Sequence, residues 1–217
     1  MQKTIEIERI DFKSHWNEAY STVDSNKLGW YEADVSPTMS LIQKAGVGPN
    51  SRILNVGAGS TTLIDCLLDH GYNNLLATDI SDVALEKLQA RIGNLQTKVE
   101  WIVDDLTSST ILHDIDPVDL WVDRAVLHFF TEEADQQSYF RLLRNMVHKY
   151  GYVILAEFNL SSADKCSGLP VRRYSTDLLQ EKLGSEFEQV TSFDYDYRMP
   201  SGDIRPYVYS LFQRVGN

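Results

Sequence analysis

The residues able to do chemistry fall at the ends of short apolar runs. Ile53-Leu54-Asn55-Val56 leads into Gly57-Ala58-Gly59, and Asp79 follows twenty residues after Gly59. Asp104-Asp105-Leu106 closes a third run, and Asp123-Arg124 closes a fourth. A glycine turn after a buried strand lets a ligand approach the backbone closely, because no side chain intervenes. A carboxylate at the spacing of Asp79 accepts hydrogen bonds from a ribose diol. A carboxylate beside an apolar residue, as in Asp105-Leu106, suits the amino group and flat face of adenine. A dinucleotide fingerprint would need glycine at position 62, which is Thr62, and no phosphate-binding lysine motif follows the turn. The ligand expected here is a nucleoside with a small zwitterionic tail, not NAD or ATP.

These ends must converge, and the surrounding pattern says how. From Arg52 onward, strand-like and helix-like segments alternate: strands at 52–56, 75–79, 99–103, 118–122 and 152–157, with helices at about 61–70 and from Ser81 to Ile92. Ser60 is expected to open the first of these helices. Thr131 is expected to cap a further helix that ends near Tyr150-Gly151, and Ser175 to open a last one ending near Leu183. Phe187 to Arg198 and Pro206 to Arg214 flank a Pro-Ser-Gly-Asp connector and read as an antiparallel hairpin. Five βα units followed by a hairpin predict an α/β, Rossmann-like sheet of seven strands. In such a sheet the ligand lies beyond the carboxyl ends of the strands, where the glycines and acids sit.

Ahead of this domain (51–217), residues 1–50 form an aromatic segment. Asp11 to Tyr20 predicts a helix with Phe12, Trp16 and Tyr20 on one face, and Pro37 opens another through Gln43. Trp16, Tyr20, Trp30 and Tyr31 either pack on the main domain or form a lid over a cofactor.

The 217 residues carry a net charge of −11, with 43% hydrophobic and 24% charged residues. That balance argues against nucleic acid or an anionic membrane as partner. Cys66 and Cys166 make no CxxC pair, so no metal site is expected and a reducing, cytoplasmic setting is. The amino terminus, MQKTIEIERIDFK, lacks the apolar core of a signal peptide.

Taken together, ILNVGAG, ATDIS, WIVDDLT and VDLWVDRAVLHF with the closing hairpin resemble class I S-adenosylmethionine (SAM)-dependent methyltransferases over about residues 50–215. HWNEAY, GWYEA and CSGLPVRRY resemble a bacterial subgroup of small methyltransferases. The resemblance implies SAM as cofactor, with Gly57, Ala58 and Gly59 at its methionine part. It places Asp79 and Ile80 at the ribose, and Asp105 at adenine with Asp104 or Leu106 beside it. Asp123 would line the methyl-transfer mouth. Where many members carry an acid, this chain has Asn55, which keeps an acceptor for the cofactor's ammonium but no charge.

A sulfonium methyl is already activated, so transfer asks for alignment and desolvation more than for acid–base groups. If the nucleophile arrives protonated, the candidate bases are Asp123, His128, Tyr20 and Tyr31. The loop after the fifth strand commonly covers the acceptor in the superfamily, which brings Cys166, Arg172 and Arg173 forward as acceptor contacts together with Tyr31 and His128. The expected function is methyl transfer to a small molecule. The rivals are a protein lysine methyltransferase, whose members share an aromatic amino-terminal segment, and a non-catalytic SAM-binding module.

Overall fold

A computed structural model describes residues 10–216, and most of the amino-terminal stretch inspected for a signal peptide lies outside the described residues. Two helices come first: α1 (Phe12–Thr22), N-capped by the Asp11 side chain, and α2 (Ser36–Ala45), which ends on the left-handed Gly46. The alternating part follows as β1 (Ile53–Val56), α3 (Leu63–Asp69), β2 (Leu75–Asp79), α4 (Asp82–Ile92), β3 (Val99–Val103), β4 (Val118–Arg124), α5 (Glu133–Met146) and β5 (Val147–Phe158). Two-residue strands β6 (Lys165–Cys166) and β7 (Leu169–Pro170), helix α6 (Thr176–Leu183) and long strands β8 (Phe187–Arg198) and β9 (Ile204–Arg214) complete the chain.

The seven-stranded sheet has the order β3-β2-β1-β4-β5-β9-β8, parallel except where β9 runs against both β5 and β8. The βα alternation and closing hairpin therefore have the predicted architecture. Several boundaries differ for local reasons. The turn after β1 continues through Ser60, and α3 starts only at Leu63. The β3–β4 crossover holds a single-turn 3₁₀ helix, Leu112–Asp114, where the sequence pattern names no helix. Glu132 occupies the cap position of α5 instead of Thr131. Ser81 and Ser175 do cap α4 and α6, accepting from Ala84 N–H and Leu178 N–H. The small β6–β7 ladder was not foreseen, being too short to carry periodicity.

Apolar residues on both faces of the parallel strands divide the core in two. On one face Leu120, Val122, Ile154, Ala156, Tyr207 and Tyr209 pack with residues of α2, α3 and α4. On the other, Trp121, Val153, Leu155 and Phe212 pack with α5 and α6. Leu41 and Ile42 of α2 are fully part of the first layer. This division decides which strand-end side chains can meet.

Candidate functional site

The turn after β1 is held in an unusual backbone conformation. Gly57 and Gly59 have φ of 55° and 52°, a region that suits glycine. A Cβ on Gly57 would overlap Val126, and one on Gly59 would overlap the hydroxyl of Tyr20. Between them, Ala58 N–H donates to Thr78 O at 2.9 Å, tying the turn to β2. Asp79 then accepts from Gly59 N–H at 2.7 Å and from Ser81 N–H at 2.8 Å. Burial pushes its carboxyl up to about 6 against the pull of those donors.

One cavity runs along this edge. Asn55, Gly57, Ala58, Asp79, Ile80, Asp104, Asp105 and Leu106 all line it. Asn55 is buried, and its Oδ1 has no partner among the described residues while Nδ2 reaches only Val56 O at 3.3 Å. The paired acids differ in role. Both oxygens of Asp104 are taken by Ser109, Thr110, Ile111 and Leu112, so this side chain holds the following loop. Burial raises its pKa, but those donors outweigh burial and the net shift is downward. Asp105 bonds only its near neighbours, Thr107 and Ser108, through its side chain.

The amino-terminal segment roofs the same cavity. Phe12, Trp16, Tyr20, Trp30 and Tyr31 line it. Trp30 Nε1–H donates to the Tyr20 hydroxyl at 2.9 Å, and Trp16 meets Trp30 and Phe129 edge-on at 5.2 and 4.9 Å. These aromatics pack on one another and line the cavity as well. Polar ties fix the segment. Asn17 donates to Asp82 at 2.8 Å and accepts from Ser81 Oγ at 2.6 Å, Lys87 Nζ donates to Tyr20 O, and His15 Nε2 lies 3.2 Å from Ser167 Oγ.

The far end of the cavity is built on Arg124. Its Nε lies 3.0 Å from Glu32 Oε1 and 3.0 Å from the Tyr209 hydroxyl, and Nη1 donates to Trp30 O at 3.0 Å. Its guanidinium stacks on Tyr197 and Tyr207 at 4.7 and 4.9 Å. Nη2 is buried with no partner among the described residues. Glu32 is 5% exposed; burial raises its carboxyl, opposed by the Arg124 charge. Cys166 lines the cavity beside them, its thiol pushed by burial up to about 11, so it stays protonated at neutral pH. The sequence reading did not count Glu32, Tyr207 or Tyr209 as site residues.

Four expected residues lie elsewhere. Asp123 and His128 are 0% exposed and do not line the cavity. Asp123 sits on the α5 face of β4, where it accepts from the Tyr139 hydroxyl at 2.5 Å and from Val126 N–H at 3.1 Å. His128 Nδ1 lies 2.8 Å from Glu157 Oε2 without the alignment of a hydrogen bond. Burial lowers His128 to about 3 and raises Glu157 to about 8, so their contact is not an ion pair at neutral pH. Neither Asp123 nor His128 is placed to act as a base at the mouth. Arg173 turns away to the carbonyls of Leu160 and Ser162, and Arg172 lies over Tyr174. Neither arginine lines the cavity.

Residues 53–151 match the family model described as a methyltransferase domain, and the strand order is that of the class I enzymes. Residues 53–151 carry a methyltransferase domain, and the fold is that of SAM-dependent methyltransferases. The methyltransferase is 22% identical over 169 residues to EEF1A lysine methyltransferase 2 of Danio rerio, covering 70% of each. Among solved structures, a SAM-dependent methyltransferase from Anabaena variabilis superposes with a TM-score of 0.74 at 13% identity, over 93% of each chain. Burkholderia thailandensis 1,6-didemethyltoxoflavin-N1-methyltransferase, bound to 1,6-didemethyltoxoflavin and S-adenosylhomocysteine (SAH), does so at 0.65 and 16%, over 94% of this chain and 86% of that one. The methyltransferase's own residues fit its cofactor. The orphaned, buried Asn55 Oδ1 is an acceptor for an ammonium, and the side-chain-free turn at Gly57 and Gly59 leaves room for a chain to cross it.

Proposed function

We propose that this methyltransferase acts on a small-molecule acceptor, bound beside Arg124 under the aromatic roof. Bound there, SAM supplies an activated methyl group. The chain's own part is to hold, orient and dry the reactants. Asn55 and the Gly57–Gly59 turn hold the amino-acid end, Asp79 the ribose, and Asp105 with Leu106 the adenine. Trp16, Trp30, Phe129 and Phe130 exclude water, which strengthens alignment and removes competing solvation. Of the carboxylates lining the cavity, Asp79, Asp104 and Asp105 stand at the ends of β2 and β3. Glu32 is left as the carboxylate beside the acceptor end, available to a proton released on transfer.

The observation that carries the small-molecule reading is the buried cation at the acceptor end. Arg124, its charge met by Glu32, leaves one unpartnered N–H group that suits a polar or anionic acceptor and has nothing to accept from a lysine ammonium. The protein lysine methyltransferase reading rests on the zebrafish relative. The two separate in one experiment: incubate the protein with methyl-labelled SAM and a cell lysate, then divide low-mass from protein fractions. Label in the low-mass fraction, abolished by Gly57→Val, is expected. Label confined to protein would overturn the small-molecule reading, while SAH binding by calorimetry checks the cofactor independently.

A further inference from the structure

A second cavity adjoins the first and shares Trp30 and Cys166 with it. Its charged lining is entirely cationic: Lys165 and Arg205 contribute to it, with Tyr207 and Met199, and no aspartate or glutamate does. In a chain of net charge −11 this local reversal is out of keeping with the rest of the molecule. Arg205 is half-buried, and no carboxylate among the described residues pairs with it. A guanidinium fork held partly out of water without a counter-ion is matched to a carboxylate or phosphate.

The opening is also fixed in shape. Lys165 and Cys166 belong to the β6–β7 ladder, whose turn residues Ser167 and Gly168 both have positive φ, as a two-residue hairpin requires. His15 of α1 contacts Ser167, so the roof and this hairpin meet at the rim. Tyr207 lines the second cavity and also carries the Arg124 guanidinium on its ring. Arg205 and Arg124 thus stand on the same strand system, one at each cavity.

We propose that the second cavity binds the carboxylate or phosphate of a small anionic acceptor through Arg205 and Lys165. The remainder of the acceptor then reaches the main cavity past Trp30 and Cys166. This deepens the proposed function and rests on it: the small molecule is an anion, and its charged group is held away from the atom that receives the methyl.

The test uses the full chain saturated with SAH and three probes of equal bulk: phenylacetate, phenyl phosphate and benzylamine, each titrated by saturation-transfer NMR. One or both anions are expected to bind and benzylamine not to, the tighter anion identifying the group. Arg205→Gln and Lys165→Gln are each expected to weaken the bound anion tenfold or more, with SAH affinity unchanged. Benzylamine binding as well as the anions, no anion binding, or full anion affinity in both variants would overturn the proposal. Labelled transfer to a neutral small molecule that is unchanged in Arg205→Gln would overturn it while leaving the small-molecule reading standing. Label confined to protein would remove that reading itself.

Discussion

Arg124 at the end of β4 and Glu32 in the amino-terminal segment form an ion pair at 3.0 Å, with side chains only 12% and 6% exposed. The pair joins the roof to the sheet, and Tyr209 bridges to both partners. Removing one member of so buried a pair leaves an uncompensated charge. Glu32→Ala should therefore lower stability by about 3 kcal/mol. The double variant Glu32→Gln with Arg124→Met should lose less than Glu32→Ala alone, because neither charge is stranded. Chemical denaturation of the variants measures both, and equal losses would show that the pair is not coupled.

On the proposed role of Asp79 at the ribose, cofactor binding should depend on pH. Its carboxyl is raised to about 6, and only the ionised form accepts hydrogen bonds from both ribose hydroxyls. As pH falls through 6 the competent form disappears, so the SAH dissociation constant should rise about tenfold per pH unit below that point. Asp79→Asn should bind SAH more weakly at pH 7 and show no such rise. Calorimetry at pH 5, 6 and 7 reads both, and a pH-independent wild type would remove Asp79 from this role.

The buried Asp123–Glu157 pair sets a limit on alkaline stability. Burial raises both carboxyls, Glu157 to about 8, and the charge of Glu157 raises Asp123 further. A carboxyl whose folded pKa is raised contributes stability that is complete below its unfolded value and lost as pH rises through the folded one. Between about pH 5 and 8 the wild type should lose stability by up to about 1.4 kcal/mol per pH unit for a fully linked proton, and the loss should level off above the folded value. Glu157→Gln should flatten that slope. Parallel slopes for variant and wild type in thermal melts would show that Glu157 does not titrate there.

Gly59 and Tyr20 make a steric prediction. Gly59→Ala places a left-handed residue and a Cβ against the Tyr20 hydroxyl, so it should cost about 1–2 kcal/mol in backbone strain alone and weaken SAH binding. Tyr20→Phe removes that hydroxyl and should restore part of the loss in the double variant. A double variant no better than Gly59→Ala would place the whole effect in the backbone.

Much of this was readable from residue order, because the βα alternation, the glycine turn and the acids ending β2 and β3 are local signals. The side of the sheet was not. Asp123 and Arg124 are adjacent, yet one faces α5 and the other the cavity. A parallel strand apolar on both faces, such as Leu120-Trp121-Val122, offers no alternation to assign them. Glu32 carried no periodic signal, since it sits in the irregular stretch between α1 and α2, and only the fold brings it to a partner far along the chain. Arg172 and Arg173 misled for the converse reason: the right residue types followed the right strand, but backbone carbonyls and Tyr174 claim them.

The roof has a kinetic meaning as well. Trp16, Tyr20 and Trp30 line the cavity proposed to hold the cofactor, and they are tied down by Asn17, Lys87 and the Glu32–Arg124 pair. The same contacts that keep water from the sulfonium also delay departure. Where release past α1 limits turnover, kcat should fall with added viscogen and depend little on the reactivity of the acceptor.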